Sequence, residues 1–292
     1  MKTLQNHTLI YDSECPMCNL YSKGFIASGM LDQHGRKAFT ELNVATKNRI
    51  DVNRAKNEIA LVDHAKNKVI YGLDSLLLII GNAFPMLEKT ARIQPLYWFL
   101  KKLYSFVSYN RKQIIPSKNN HKAEACNPDF NLKYRMAYLV FIAVFSAYVL
   151  SLFSEKLGLS RNFFRELGIC TGQIFWQTVF LKVYLKEKLW DYLGNMMTVS
   201  LIGTLLLITG LFLDLNAIAA FIYFGTVVAI MFLEHIRRCR ILGLNLLPTL
   251  SWTLFRMTVL AFLLCTHLLK TNNEPYRTDQ RNTMERSEIS FR

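Results

Sequence analysis

Residues 8–18 have the sequence Thr8-Leu9-Ile10-Tyr11-Asp12-Ser13-Glu14-Cys15-Pro16-Met17-Cys18. The apolar run ends at Tyr11 and a helical pattern begins at Pro16, so both cysteines lie where a predicted strand meets a predicted helix. The N-terminus of a helix stabilises a thiolate through its unpaired N–H groups and the positive end of its dipole. A CxxC segment in this position is typical of a redox-active dithiol.

The elements around this segment predict an α/β, thioredoxin-like N-terminal domain. The expected order βαβ(α)ββα is that of a thioredoxin-like fold, and it has the CxxC at its active-site position. We expect strands near residues 7–12, 37–42, 58–63 and 68–71, helices over residues 16–29 and Leu76–Phe84, and a weakly helical stretch over residues 45–56. Asp74 or Ser75 would cap the helix over Leu76–Phe84. An amphipathic helix over Gln94–Arg111 would pack on this domain or lie along a membrane surface.

The rest of the chain predicts an all-α transmembrane bundle. A length of 292 residues favours about two domains. We expect a domain over residues 1–115, a linker over 116–133, a transmembrane helical domain over 134–270 and a polar tail over 271–292. Each crossing needs about 20 apolar residues. The candidates are Tyr134–Phe153, Gly194–Leu213, Ala217–Leu233, Pro248–Leu269 and a more polar one, Leu167–Leu185.

Charge favours five crossings over four. With five crossings and the N-terminus inside, the basic clusters Lys182-Lys186-Lys188 and Arg237-Arg238-Arg240 both face the cytoplasm, as basic loops prefer. The basic residues beyond Lys270 would then lie outside, which counts against that number. No cleavable signal peptide is evident before Asp12, so the N-terminal domain should be cytoplasmic, on a multi-pass inner-membrane protein.

The net charge of +14 does not predict nucleic-acid binding. Much of the positive charge is placed as membrane topology and anionic headgroups require. Besides the two clusters between spans, it lies just before the first apolar span, at Lys101, Lys102, Arg111, Lys112, Lys118, Lys122, Lys133 and Arg135. The lipid bilayer is therefore the expected partner, and the oligomeric state stays open.

The segment Tyr11–Cys18 resembles the signature of the DCC family of thiol–disulfide oxidoreductases, Tyr-Asp-Gly-x-Cys-x-x-Cys. The family's Asp, Cys and Cys correspond to Asp12, Cys15 and Cys18, while Ser13 stands where the family has Gly. A downstream Tyr and Asn-Arg pair is similar to Tyr104 with Asn110-Arg111. The resemblance covers residues 1–115 and implies a thioredoxin-like fold and disulfide exchange with a protein or small-molecule partner.

We assign the catalytic roles to three residues. The Cys15 thiolate would attack a substrate disulfide, and Cys18 would resolve the mixed disulfide. Asp12 would accept a proton from Cys18, or would only organise the strand–helix turn. This chemistry needs no cofactor.

A metal-handling protein is the alternative interpretation of the CxxC. Cys15 and Cys18 would then bind Cu(I) or Zn²⁺ and pass it to the helical bundle. A closed zinc site needs four ligands, and His7, His34 or His64 would have to complete it. Residues 51–62 contain no proline at the place where thioredoxins carry the cis-proline that keeps metal off the cysteines, which leaves this alternative open.

A few polar residues of the bundle are further candidates. Cys170 and Cys265 could relay electrons across the membrane or be small buried hydrophobes, and we expect Cys126 and Cys239 to be ordinary free thiols. Glu234-His235 would anchor a span end or act inside the membrane. Gln173, Trp176 and Gln177 would line a polar cavity or face a neighbouring helix.

Overall fold

The computed structural model describes residues 2–117, 128–263 and 265. The described residues of its N-terminal part form four strands and six α-helices. They are β1 (His7–Tyr11), α1 (Pro16–Ala27), β2 (Arg36–Ala38), α2 (Val44–Lys47), α3 (Val52–Asn57), β3 (Ala60–Asp63), β4 (Lys68–Tyr71), α4 (Leu73–Ala83), α5 (Pro85–Ala91) and α6 (Gln94–Ile114).

The four strands form one mixed sheet in the order β2-β1-β3-β4. Strand β1 pairs parallel with β2 and antiparallel with β3, and β4 pairs antiparallel with β3. The parallel pair requires a crossover, which α1 supplies. The β3–β4 pair is a hairpin closed by the polar turn His64–Asn67, where Asn67 adopts a positive φ of 52°.

Apolar residues that alternate along the central strands build a core on each face of the sheet. On one face, Ile10, Ala60 and Val62 pack with residues of the segment that leads into α2 and α3. On the other, Leu9 and Leu61 pack with residues of α1 and α4. The sheet is therefore covered on both sides, and the strand–helix turn after β1 lies inside the domain.

Two predicted boundaries are corrected in this domain. The strand expected over residues 37–42 ends at Ala38, and a 3₁₀ turn follows at Phe39–Glu41. Helix α4 starts at Leu73, and its N-cap is Gly72. The φ of +66° at Gly72 turns the chain from β4 directly into the helix, a conformation that favours glycine. Ser75 instead donates its hydroxyl to the carbonyl of Ile70 at 2.8 Å.

All regular elements among the described residues of the C-terminal part are helices. Its helices are α7 (Leu132–Lys156), α8 (Phe163–Leu185), α9 (Leu189–Leu211), α10 (Ala217–Ile241) and α11 (Leu247–Leu263). Three segments of the described residues are long and apolar enough to cross a membrane: Leu132–Lys156, Phe163–Leu211 and Ala217–Ile241. Within the second of these, Lys186 has a φ of +46°, and a 3₁₀ turn separates α8 from α9.

These bounds adjust the predicted domain limits. Helix α7 starts two residues before the expected domain over 134–270, and the described linker residues 116, 117 and 128–131 are non-helical. Cys126, the end of the last predicted span and the polar tail over 271–292 fall outside the described residues.

The helices of the C-terminal part pack into a bundle around α9. Helix α9 contacts α7, α8 and α10, and α7 also packs along α8. The largest side chains of this core include Tyr138, Phe153, Tyr192 and Trp252, each at most 2% exposed. Helix α6 contacts both α7 and α9, so it joins the sheet domain to the bundle.

Candidate active site

The turn between β1 and α1 places the cysteine pair at a helix N-terminus, as the sequence predicts. Cys15 is the N-cap of α1, and Pro16 occupies the first turn, where its missing N–H leaves no partner unsatisfied. The Cys15 Sγ accepts a hydrogen bond from the backbone N–H of Cys18 at 3.5 Å. The sulfur of Cys15 thus accepts a hydrogen bond from an N–H group that has no carbonyl partner within the helix.

Both thiols are shielded from solvent in this conformation. Cys15 is 0% and Cys18 is 3% exposed, and both are free cysteines. Burial alone makes a thiolate costly, so a reactive thiol at this position depends on the hydrogen bonds and charges around it.

Those surroundings make the two cysteines unequal. A hydrogen bond from the Cys18 thiol, helped by the charge of Arg111 and opposed by burial, lowers the pKa of Cys15 to about 6. The same hydrogen bond, together with burial, raises the pKa of Cys18. At neutral pH, Cys15 is therefore the thiolate and Cys18 holds the shared proton. This asymmetry is what a nucleophile and a resolving thiol require.

Arg111 supplies positive charge to the pair from α6. Its side chain is 4% exposed, and its Nη2 lies 3.7 Å from Asp12 Oδ2 and donates to the carbonyl of Lys56 at 3.0 Å. Arg111 is one of the basic residues that precede the first apolar span, but its charge is buried beside Asp12 and the CxxC rather than exposed. The Asn110-Arg111 pair was the sequence signal for this residue, because it resembles the Asn-Arg pair that follows the CxxC in the DCC family.

Asp12 lies in the turn between β1 and α1. Its Oδ1 accepts a hydrogen bond from the backbone N–H of Glu14 at 3.0 Å, which holds the turn that leads to Cys15. Burial raises the pKa of the Asp12 carboxyl, against the effect of Arg111. The turn-organising role is visible in these contacts. Proton transfer from Cys18 to Asp12 stays a prediction.

Helix α6 lies against the segment that leads into β3 and brings Arg111 to the site. The Tyr104 hydroxyl accepts a hydrogen bond from the backbone N–H of Ile59 at 3.0 Å, and the Ser108 hydroxyl donates to the carbonyl of Asn57. Burial raises the pKa of Tyr104 to about 12, so its hydroxyl stays protonated. These bonds fix α6 to the segment just before β3, and with it the guanidinium of Arg111.

The histidines that could complete a metal site lie elsewhere. His7 is at the start of β1, opposite the end that leads to Cys15, and its Nε2 lies 3.5 Å from Asp63 Oδ2. His64 contacts the Thr8 hydroxyl at 2.9 Å. His34 is exposed in a loop. Among the residues that the structure describes, no three His, Cys, Asp or Glu side chains form a group that could hold a metal ion.

The polar candidates of the bundle are dispersed. Cys170 and Gln173 line a cavity of about 40 Å³ between the helices, whereas Gln177 accepts a hydrogen bond from Tyr192 and Trp176 donates to Ser251. Cys265 is exposed and, like Cys170, unpaired.

Glu234 and His235 have different surroundings. Glu234 forms ion pairs with Arg237 and Arg238 at 2.6 and 2.7 Å. His235 is 1% exposed, stacks on Trp252 and contacts the hydroxyls of Tyr192 and Thr249 at 3.2 Å each. These contacts hold the imidazole inside the bundle, and the anchoring or intramembrane role stays a prediction.

Comparison with protein families agrees with this geometry. Residues 9–116 match the model of the DCC1-like thiol-disulfide oxidoreductase family. The match begins within β1 and ends just after α6, so it contains Asp12, both cysteines, Tyr104 and Arg111. No curated protein matches the chain, and no solved structure matches it. The region from residue 9 to residue 116 is called the DCC1-like domain below.

Proposed function

We propose that this protein is a membrane-anchored thiol–disulfide oxidoreductase that exchanges disulfides through Cys15 and Cys18. The observation that carries the proposal is the difference in pKa between the two thiols at the N-terminus of α1. The pKa of Cys15 is lowered to about 6, while that of Cys18 is raised. The match of residues 9–116 to the family model supports the same chemistry. The reaction requires only the two thiols and a substrate disulfide.

The exchange proceeds in two balanced steps. The Cys15 thiolate attacks one sulfur of the substrate disulfide, forms a mixed disulfide and releases the other sulfur as a thiolate, which takes up a proton. Cys18 then loses its proton, attacks the Cys15 sulfur and releases the second substrate thiol. The enzyme ends as a Cys15–Cys18 disulfide and the substrate as two thiols. The reverse sequence oxidises a substrate dithiol.

A thioredoxin-like fold is the finer description that we propose for the DCC1-like domain. The sheet order β2-β1-β3-β4, with β3 antiparallel to β1 and the cysteines after β1, supports it. Helices cover both faces of this sheet, and α4 follows the β3–β4 hairpin as the expected order requires.

Five crossings, with the DCC1-like domain on the cytoplasmic face of an inner membrane, are the arrangement that we propose for the bundle. Helices α8 and α9 have 23 residues each and would each span about 35 Å at 1.5 Å per residue. This exceeds the roughly 30 Å of a bilayer core. If α8 and α9 are counted separately and α11 is included, the bundle has five crossings. This is the number that the positions of the basic clusters favour.

Hydrogen bonds between helix ends support this orientation. At the end of the bundle next to the DCC1-like domain, Lys188 donates to the carbonyl of Leu242 at 3.3 Å and Arg135 donates to that of Trp190 at 2.9 Å. At the other end, Lys156 donates to the carbonyl of Leu213 at 2.7 Å. Both basic clusters therefore lie on the same side as the dithiol, as cytoplasmic clusters would.

A redox titration of the full chain in lipid nanodiscs tests the function. The protein is equilibrated in graded glutathione and dithiothreitol buffers, its thiols are trapped, and the Cys15–Cys18 disulfide is identified by peptide mass mapping. We expect a reversible midpoint between about −120 and −270 mV, the range of known CxxC oxidoreductases. Cys15→Ser and Cys18→Ser should abolish it, and Cys239→Ser, the matched control for a buried thiol, should leave it unchanged.

The metal-handling alternative predicts a different outcome. A pair that resists oxidation and instead retains Zn²⁺ or Cu(I) through both thiols after dialysis would overturn the exchange mechanism.

A further inference from the structure

The Tyr21 hydroxyl is a buried polar group to which the exchange mechanism gives no role. Its oxygen is shielded from solvent and has no hydrogen-bond partner among the described residues. The ring contacts Phe25 of the same helix, with the two ring centroids 6.2 Å apart, and packs against the core between the sheet, α1 and α4. A buried hydroxyl without a partner is unfavourable, so its presence here calls for an explanation.

The position of Tyr21 on α1 directs this hydroxyl to the second thiol. Tyr21 lies one helical turn after Cys18, so both side chains are on the same face of the helix. Helical side chains tilt towards the N-terminus, and the long side chain of Tyr21 therefore reaches back towards Cys18. Two small cavities, of about 10 and about 130 Å³, are both lined by Cys18, Tyr21, Ile59 and Arg111. Cys18 and Tyr21 thus border the same space.

No hydrogen bond of ordinary geometry joins Tyr21 to Cys18 while both cysteines are reduced. The Cys18 thiol donates instead to Cys15. Burial, together with the proximity of Cys18, raises the pKa of Tyr21 well above its ordinary value, so the hydroxyl keeps its proton. Tyr21 is therefore a hydrogen-bond donor without an acceptor, beside a thiol that has not yet lost its own proton.

An acceptor for this donor arises in the second step of exchange. Once the Cys15 sulfur belongs to the mixed disulfide, Cys18 must become a thiolate in order to attack it. Burial opposes the charge on Cys18. Hydrogen bonds to the charged form of a buried group offset that cost, and the Tyr21 hydroxyl is placed to supply one.

We propose that the Tyr21 hydroxyl donates a hydrogen bond to the Cys18 thiolate and so speeds the resolution of the mixed disulfide. This inference rests on the proposed exchange function. In this step Cys18 loses its proton, its sulfur bonds to the Cys15 sulfur, and the bond between Cys15 and the substrate sulfur breaks. The proton ends on the substrate thiol that leaves. Tyr21 keeps its own proton, so the balance of the reaction is unchanged.

Other titratable groups around the pair also affect the ionisation of Cys18. They are Tyr11 on β1, Asp12 in the turn, Cys15, Glu58 before β3, and Tyr104, Arg111 and Lys112 on α6. All of them are retained when the Tyr21 hydroxyl alone is removed. A difference in pH dependence between the wild type and Tyr21→Phe therefore reports on the hydroxyl.

The test follows the mixed disulfide at Cys15 in the full chain in lipid nanodiscs. The reduced protein is mixed with oxidised glutathione and quenched with acid, and the glutathione adduct on Cys15 is measured by peptide mass mapping over time. Its rise reports the first step and its decay reports resolution by Cys18. In Tyr21→Phe we expect an unchanged rise. The decay should be slower by at least about tenfold at neutral pH, the effect of losing a hydrogen bond to a charged group.

The pH profile of the decay distinguishes this role from a packing role. The rate of resolution should increase with pH as Cys18 ionises, and Tyr21→Phe should move this profile about one pH unit higher. Tyr71→Phe is the matched control, because the Tyr71 hydroxyl accepts the N–H of Asp51 at 2.8 Å and its ring packs on the other face of the sheet. It should leave both steps and the profile unchanged.

The outcomes separate this inference from the function on which it rests. Equal decay rates in the wild type and Tyr21→Phe would overturn the role of the hydroxyl alone. So would a slower decay with an unshifted pH profile, since that result assigns Tyr21 to packing. If the wild type forms no mixed disulfide at Cys15, the exchange function itself fails.

Discussion

Cys15 and Cys239 are both buried, but they lie at opposite ends of their helices and have different charged neighbours. Cys15 in the DCC1-like domain is 0% exposed and Cys239 in the bundle is 4% exposed. Cys15 caps the N-terminus of α1 and receives the N–H of Cys18, whereas Cys239 lies in the last turn of α10, where the backbone N–H groups are used within the helix.

The neighbouring arginines strengthen the contrast. Arg111 directs its charge towards the Cys15–Cys18 pair. Arg238, next to Cys239 in the sequence, is directed instead towards Asn195 and the carbonyl of Gln113. Cys239 also accepts a hydrogen bond, from the Thr249 hydroxyl at 3.8 Å. The helix N-terminus, the second thiol and the charge of Arg111 therefore distinguish Cys15 from Cys239, and burial does not.

The largest expected difference is in the rate of oxidation of the protein when either cysteine is replaced by serine. Cys15→Ser replaces the thiolate by a hydroxyl that does not exchange, so oxidation of the protein by a disulfide should fall to background. Cys239→Ser should leave the rate unchanged. Stopped-flow oxidation of the reduced protein measures both, and a large loss of rate in Cys239→Ser would contradict the comparison.

The second largest difference is expected in how the alkylation rates of Cys15 and Cys239 depend on pH. Because the pKa of Cys15 is about 6, its reaction with iodoacetamide should be nearly independent of pH above about 7. It should fall about tenfold for each pH unit below the pKa, as the thiolate is protonated. Cys239, which lacks the second thiol and the helix N-terminus, should react more slowly than Cys15 throughout this range. Rates are followed by mass spectrometry from about pH 4.5 to 8.5. A midpoint at the ordinary cysteine pKa would contradict the lowered pKa of Cys15.

Loss of the Arg111 charge should bring the Cys15 environment closer to that of Cys239. Arg111→Gln should raise the pKa of Cys15 and lower its thiolate fraction at pH 6 about tenfold, while Arg111→Lys should keep most of the effect. The same pH profile of alkylation measures it.

Arg111→Gln also leaves the Asp12 carboxylate buried without its partner, which typically costs 3–5 kcal/mol of stability. The double variant Asp12→Asn/Arg111→Gln therefore serves as the control for folding. Because Asp12→Asn alone should lower the pKa of Cys15, the double variant is compared with that single variant. Equal midpoints in the two would show that Arg111 does not act on the thiol.

The smallest effect is expected for Asp12→Asn. The carboxylate raises the pKa of Cys15, so its removal should increase the alkylation rate at pH 5.5 by a few fold at most. If Asp12 also takes the proton of Cys18, the resolution of a Cys15 mixed disulfide should slow in the same variant. Single-turnover release of a chromogenic thiol distinguishes the two roles.

The local pattern around Cys15 was sufficient to predict its position in the fold. An apolar run followed by Pro16 predicts the strand, the turn and the helix from neighbouring residues alone, and these three elements are present. The start of α4 was predicted less well, because a positive φ at Gly72 replaces the side-chain cap that Asp74 or Ser75 would provide.

Three buried arginines show which contacts could not be predicted from the sequence. Arg111, Arg135 and Arg238 look like membrane-proximal basic residues, yet they are 4%, 5% and 3% exposed. Each is satisfied by a carboxylate or a carbonyl distant in the sequence, such as Asp12 for Arg111 and Ile114 for Arg238. Counting charges does not identify such partners, since they depend on tertiary packing.

The last turn of α6 is held by the bundle. Its carbonyls at Gln113 and Ile114 accept hydrogen bonds from Arg238, and Gln113 also accepts one from Thr198. Arg111 lies in this same turn. A fragment cut after residue 117 would expose these carbonyls to water and let the helix end fray where Arg111 is held. The DCC1-like domain purified alone would then show a less acidic Cys15 than the whole protein, and experiments on the fragment would understate its reactivity.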